Sequence, residues 1–163
     1  MSDPDTKVEL KAGDKAPDFT AQVQNPNGTV VNFNLYNFLK QGKKILLVFY
    51  PGDNTPGCAT QLCGIRDVFQ EYAELGIAIL GVNPANEKSH LKFITRYSFP
   101  FGIAMDEDKI IRQKYGATKM YFGNETTKRS VFLIDTDGGI LFIHWGQQDN
   151  QQVIDLVKNN QQF

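Results

Sequence analysis

Cysteine is almost missing from this chain: its 163 residues include two, along with two histidines and one tryptophan. Two thiols allow one disulfide at most, and with no secretory segment in view a structural bridge is improbable. The four nominal zinc ligands are Cys58, Cys63, His90 and His144, and the two histidines stand 54 positions apart in no paired histidine motif. A closed zinc centre therefore has little support. An excess of one charge is also lacking. The formal net charge of −1 supplies no field for nucleic acid or for an anionic membrane. No apolar run approaches the ~20 residues that span a bilayer. The opening MSDPDTKVELKAGDK has neither a signal peptide's apolar stretch nor a transit peptide's Arg-rich, acid-poor character. A cytoplasmic location in a reducing compartment is the expectation, with a plastid open if a targeting segment was removed beforehand. No repeat or linker appears, and an apolar content of 41% suits one domain over residues 1–163 with one sizeable core.

The pattern of elements is mixed α/β. Phe19 to Gln24 and Thr29 to Phe33 read as a hairpin turning at Asn27-Gly28. Ile45 to Tyr50 and Ile77 to Val82 are nearly unbroken apolar runs, as in parallel strands covered on both faces, with a helix between them. A helix over Asn86 to Tyr97, a strand over Phe101 to Met105 and a short helix over Lys109 to Tyr115 follow. Ser130 to Ile134 and Ile140 to Trp145 form a second hairpin around Asp137-Gly138, and Val153 to Val157 lie in a final helix with an Asn/Gln-rich, solvated end.

Both cysteines lie in PGDNTPGCATQLC, after a turn rich in proline and glycine. From Cys58 onward, Leu62, Ile65, Val68, Phe69, Tyr72 and Leu75 recur at helical spacing as one apolar stripe, opposed by Arg66, Asp67, Gln70, Glu71 and Glu74. Gly76 stops the helix. At about 100° per residue Cys58 points with the stripe and Cys63 outward on the polar face. Cα atoms five residues apart on an ideal helix are roughly 8.6 Å from each other, whereas a disulfide takes about 4.4–6.8 Å. The two sulfurs could bond only if the first turns unwind. A small buried hydrophobe is the ordinary reading of a free cysteine; it suits Cys58 and not Cys63. A thiol at a helix N-terminus is favoured as thiolate, the nucleophilic form. Thr55, three residues earlier, could reach that sulfur or an oxygen beside it, while Pro51 and Pro56 stiffen the turn.

These residues carry a resemblance. PGDNTPGC is similar to the P-x-x-x-T-x-x-C signature of peroxiredoxins, and a second cysteine five positions on resembles the Q-type branch, the bacterioferritin comigratory proteins. GDKAPDF, SHLKF, KMY and KRSVFLIDTDG extend the similarity along most of the chain. The resemblance implies a peroxidatic Cys58, a resolving Cys63, activating roles for Thr55 and Arg129, and a shielding Pro51. It also implies hydrogen peroxide or an organic hydroperoxide as substrate, thioredoxin or else glutaredoxin as reductant, a monomer, and no metal, flavin or nicotinamide cofactor. Gly52 stands where the family usually has a lysine or similar polar residue, and FGNETTK, before Arg129, is shorter than is common.

The element order is that of a thioredoxin-like fold: a mixed central sheet flanked by helices, with an N-terminal β-hairpin. If Ser130 to Ile134 runs antiparallel to Ile45 to Tyr50, Arg129 arrives beside Pro51 and Cys58, where its fixed charge could steady a thiolate and a developing oxyanion. His90 is expected to be a packing or surface contact, and Met120 and Tyr121 to line an entrance or merely to pack. Two other readings stay open. A thioredoxin-type reductase is disfavoured because such sites use C-x-x-C, and a non-enzymatic redox switch would oxidise once and stop.

Overall fold

The computed structural model describes residues 8–160. Strands β1 (Thr20–Gln24) and β2 (Val30–Asn34) pair antiparallel. The Asn27-Gly28 turn lies within a longer loop, closed by the Asn25 N–H on the Thr29 carbonyl at 2.9 Å and the Gly28 N–H on the Asn25 carbonyl at 3.1 Å. Helix α1 (Leu35–Leu39) follows at once, its first turn capped by the Asn34 side chain on the Asn37 N–H. Five residues are too few for a helical period to declare itself, and the sequence pattern missed this helix.

Strand β3 (Lys44–Phe49), helices α2 (Pro56–Asp67) and α3 (Phe69–Glu74), and strand β4 (Ile77–Asn83) form the expected parallel unit, with Lys44 opposite Ile77 and Phe49 opposite Val82. The single helix expected up to Leu75 is two, because Val68 adopts φ −116° and ψ 19° between them. Leu62, Ile65 and Tyr72 are buried on both sides of this break. The apolar phase thus runs straight through it, and periodicity carries no trace of it.

Helix α4 (Glu87–Tyr97), strand β5 (Gly102–Met105) and helix α5 (Ile110–Lys114) lie where expected. Strands β6 (Thr118–Tyr121) and β7 (Asn124–Thr127) form a hairpin that the sequence pattern does not indicate. Its turn residues, Phe122 and Gly123, both have positive φ, 48° and 79°. Asn or Gly usually fills the first of these positions, so phenylalanine hides the turn. Strands β8 (Ser130–Ile134) and β9 (Ile140–Trp145) and helix α6 (Asn150–Asn160) complete the order. The Asn/Gln-rich end begins in α6 with exposed residues, and 161–163 lie outside the described residues.

The main sheet runs β2-β1-β5-β4-β3-β8-β9. The N-terminal hairpin extends it by pairing β1 antiparallel to β5, Val23 opposite Ala104. Side chains alternate along β3 and into the residue after it: Leu46, Val48 and Tyr50 pack with Leu62, Ile65, Phe93 and Val153, while Ile45, Leu47 and Phe49 pack with Leu35, Leu39, Ile111 and Tyr115. Cover on both faces is why β3 reads as one apolar run. Burying each such side chain stabilises the fold by about 1.5–3 kcal/mol. The thioredoxin-like arrangement is therefore present, and its centre, β3 flanked by β4 and β8, fixes the ground on which the thiol sits.

Candidate active site

After β3 the chain turns through residues 51–55 and enters α2 at Pro56, with Thr55 in the N-cap position. Proline suits the first helical position because its φ is preset and it has no N–H to leave unpaired. Cys58 is the third residue of α2, inside the turn whose N–H groups lack intrahelical partners. Its side chain is completely buried, and both cysteines are free thiols.

The antiparallel pairing of β8 on β3 sets Ser130 opposite Phe49, so Arg129 arrives at the end of β3 as expected. Its Nη2 lies 3.3 Å from Cys58 Sγ, and its Nη1 donates to Gln61 Oε1 at 2.6 Å and to the Gly57 carbonyl at 3.4 Å. Gly57 makes this approach possible: a Cβ there would stand 3.2 Å from Nη2, tight enough to push the guanidinium away. Gly52 faces no such demand, since a Cβ would meet only Thr55 Cγ2 at 3.4 Å.

No motif in the sequence singles out Gln61, although at about 60° from Cys58 on the helical wheel it falls on the buried side. It is fully buried. Its Nε2 donates to Gln148 Oε1 at 3.1 Å, Gln148 Nε2 donates to Asn150 Oδ1 at 3.1 Å, and the Tyr72 hydroxyl donates to the same oxygen at 2.7 Å. Burial first, then the charges of Asp149 and Glu71, raises the Tyr72 phenol and keeps it a donor. Each amide has one orientation that satisfies its neighbours.

A second cluster holds the loop before α2. Asp53 accepts hydrogen bonds from the Tyr50 hydroxyl at 2.7 Å and the Ser89 hydroxyl at 2.6 Å, and its Oδ2 lies 2.7 Å from His90 Nδ1. The His90 side chain is 0% exposed and that of Asp53 3%. Burial by itself would raise the Asp53 carboxyl, but the hydrogen bond and charge of His90, with bonds from Ser89 and Tyr50, outweigh it and hold the group below its ordinary value. Burial, then the Asp53 charge, drives the Tyr50 phenol well up, so Tyr50 stays a donor. His90 is thus a buried partner of the active-site loop, a contact made visible only when α4 packs beside it. Asn83 Nδ2 donates to the Tyr50 carbonyl at 2.9 Å and ties β4 to the same turn.

Thr55 and Pro51 are exposed on this loop. The Thr55 hydroxyl donates to the Gly52 carbonyl at 3.1 Å, which leaves its lone pairs free to accept a proton donor. Cys63 departs from the outward position expected of it: it is half-buried and packs against the core cluster that contains Cys58. The side of α2 that reads as solvated in sequence faces the end of α4 there: Arg66, on the same side of the helix as Cys63, donates to the Tyr97 carbonyl at 2.8 Å, and Tyr97 packs on the same core cluster. Because α2 is continuous from Pro56 to Asp67, the Cα atoms of the two cysteines keep the helical separation of roughly 8.6 Å.

Met120, Tyr121 and Phe122 are exposed at 65%, 57% and 88%, so the first two do not merely pack. Among the described residues no group of three or more His, Cys, Asp or Glu side chains could hold a metal ion, and no helix is long and apolar enough to cross a membrane. The arrangement is a buried thiol at a helix start, an arginine against its sulfur, and a second thiol one and a half turns along the same helix.

Comparison with known proteins agrees with this chemistry. The model of the AhpC/TSA family matches residues 12–143. The chain is 35% identical over 138 residues to peroxiredoxin Bcp of Bacillus subtilis (strain 168), covering 82% of this chain and 84% of that protein. It is 30% identical over 139 residues to a chloroplastic peroxiredoxin Q of Triticum aestivum, covering 85% of this chain and 61% of that one. The crystal structure of peroxidoxin BcpB from Mycobacterium tuberculosis superposes with a TM-score of 0.80 at 24% identity, over 93% of this chain and 98% of that one, which shows a common fold.

Proposed function

This chain belongs to the AhpC/TSA family, among its peroxiredoxins, and is a thiol peroxidase; from that premise we propose that Cys58 is the residue peroxide oxidises and Cys63 the residue that resolves it. The Cys58 thiolate attacks one oxygen of hydrogen peroxide or an organic hydroperoxide. The O–O bond breaks, the sulfur becomes a sulfenic acid, and water or alcohol leaves with a proton. Arg129 supplies fixed donors to the sulfur and to the oxygen that gains charge. Thr55, its hydroxyl proton already committed to Gly52, accepts the peroxide O–H, and Pro51 shields the pocket.

Cys63 then condenses with the sulfenic acid to give an intrachain disulfide and one water. An external dithiol protein reduces this disulfide by exchange; thioredoxin is the reductant proposed, with glutaredoxin as the alternative. The protein works as a cytoplasmic monomer of one domain. The observation that carries this reading is the 3.3 Å approach of Arg129 Nη2 to the sulfur of a buried cysteine in the first turn of a helix.

A coupled assay tests it: peroxide, thioredoxin, thioredoxin reductase and NADPH are combined with the protein. Continuous NADPH oxidation is the expected outcome, and oxidation of one equivalent followed by arrest would replace the enzyme by a redox switch. Substituting glutaredoxin and glutathione in the same assay identifies the reductant.

A further inference from the structure

The bond between Gln61 and Gln148 joins two elements that the resolving step must separate. Gln61 sits in α2 between Cys58 and Cys63, and Gln148 sits outside it, just before α6. Both side chains are buried, at 0% and 6% exposure. The partners of Gln148 on its far side, Asn150 and through it Tyr72, fix the direction of its amide so that Oε1 faces α2. Cys58 and Cys63 reach bonding distance only when the turns between them unwind. That unwinding carries Gln61 away from Gln148, while the bonds from Gln148 to Asn150 and from Tyr72 to Asn150 lie wholly outside the unwinding segment.

We infer that Gln148 is a positioning residue for resolution: by holding Gln61 it sets how often the Cys63 turn opens, and so how the Cys58 sulfenic acid divides between disulfide and further oxidation. The inference rests on the reading of Cys63 as the resolving thiol. In the first branch the Cys63 thiol attacks the sulfenic sulfur, the S–O bond breaks, and the hydroxyl leaves as water with the thiol proton. In the second, a further molecule of peroxide transfers an oxygen to the same sulfur and leaves as water or alcohol, giving a sulfinic acid. Only the first branch requires α2 to open. A contact present in the closed state and absent from the open one slows that branch alone, whereas a contact common to both states shifts nothing.

Two substitutions at Gln148 make the test. Gln148→Met removes the acceptor and keeps the length of the side chain, and Gln148→Glu keeps an acceptor for Gln61; both give up the donor to Asn150, so the two differ at the Gln61 bond. The disulfide-forming step is timed by stopped flow after one equivalent of peroxide, and sulfinic acid is counted by mass after an excess. Losing one neutral hydrogen bond changes an opening equilibrium by about fivefold, so Gln148→Met should resolve about fivefold faster or more and yield less sulfinic acid. Gln148→Glu should not accelerate, and Tyr72→Phe, whose bond survives opening, should resolve within about twofold of the parent. Unchanged resolution in Gln148→Met, or equal acceleration in Gln148→Met and Gln148→Glu, would overturn the inference. If the parent protein forms no Cys58–Cys63 disulfide by mass, the fault lies instead in the assignment of Cys63.

Discussion

Two hydrogen-bonded clusters flank Cys58, and they are made of different material. On the α4 side, Asp53 gathers Tyr50, Ser89 and His90 around a buried carboxylate. On the α6 side, Gln61 donates to Gln148, and Gln148 and Tyr72 both donate to Asn150, all through neutral bonds, while Gln61 Oε1 also accepts from Arg129. A bond to a charged group contributes about 1.5–3 kcal/mol and a neutral one about 0.5–1.5 kcal/mol. The stronger set holds the loop that must keep its shape while peroxide reacts. The weaker set, beside the single charged bond from Arg129 to Gln61, holds the helical turns that come apart afterwards in the proposed cycle. The proposed cycle calls for that division, a helix start fixed at its entry and releasable one turn later.

The largest effects should fall on the two thiols. Cys58→Ser should consume no peroxide, whereas Cys63→Ser should form a sulfenic acid once and then fail to cycle with thioredoxin; trapping the sulfenic acid with a mass-tagged dione separates the two, and the opposite pattern would reverse the roles. Removing the acceptor of the charged cluster comes next. Asp53→Ala strands the buried Tyr50 and His90 donors and the half-buried Ser89 hydroxyl, and losing a hydrogen bond to a charged group costs about 1.5–3 kcal/mol, to be read from urea denaturation. A loss below 1 kcal/mol would erase the contrast between the clusters.

Arg129→Ala should slow the oxidation of Cys58 on the order of a hundredfold, the usual consequence of losing one preorganised donor, and Thr55→Val should slow it less. Single-turnover rates equal to the parent's in both variants would remove these residues from the mechanism. Gly57→Ala should slow the same step by a smaller factor, about tenfold, because its Cβ crowds Nη2 at 3.2 Å without deleting the guanidinium.

Acid should separate the clusters as well. The Asp53 carboxyl lies below its ordinary value in the folded protein, so near that value the unfolded chain binds more protons and stability falls as pH falls. The contribution is complete above about pH 4, the ordinary aspartate value, and is lost as pH drops through the lower folded one. Thermal unfolding followed between pH 6 and 3 should show this loss in the parent and a flatter profile in Asp53→Asn; identical profiles would argue against the carboxylate.

What the sequence revealed and what it concealed follow from the range of each interaction. The parallel pair β3 and β4, the β8–β9 hairpin and the placement of Arg129 were legible because apolar runs, an Asp-Gly turn and antiparallel pairing are rules with few outcomes. Helix α1 escaped because five residues hold little more than one period, and the β6–β7 hairpin because Phe122 occupies a left-handed turn position that seldom takes an aromatic. The break at Val68 left the apolar stripe in phase. The helical wheel points Cys63 to solvent because it shows one helix and not the segment packed against it. The same blindness hid Gln148 and the partnership of Asp53 with His90, 37 residues apart. Gln61 alone among these had a local sign, its angle beside Cys58.

Amide hydrogen exchange, compared between the reduced and the oxidised protein, tests the division between a fixed entry and a releasable helix most directly. Protection over residues 58–66 should fall on oxidation and return on reduction, while β3 and α4, which frame the Asp53 cluster, keep theirs. Equal protection of residues 58–66 in both states, with the Cys58–Cys63 disulfide confirmed by mass, would contradict the account.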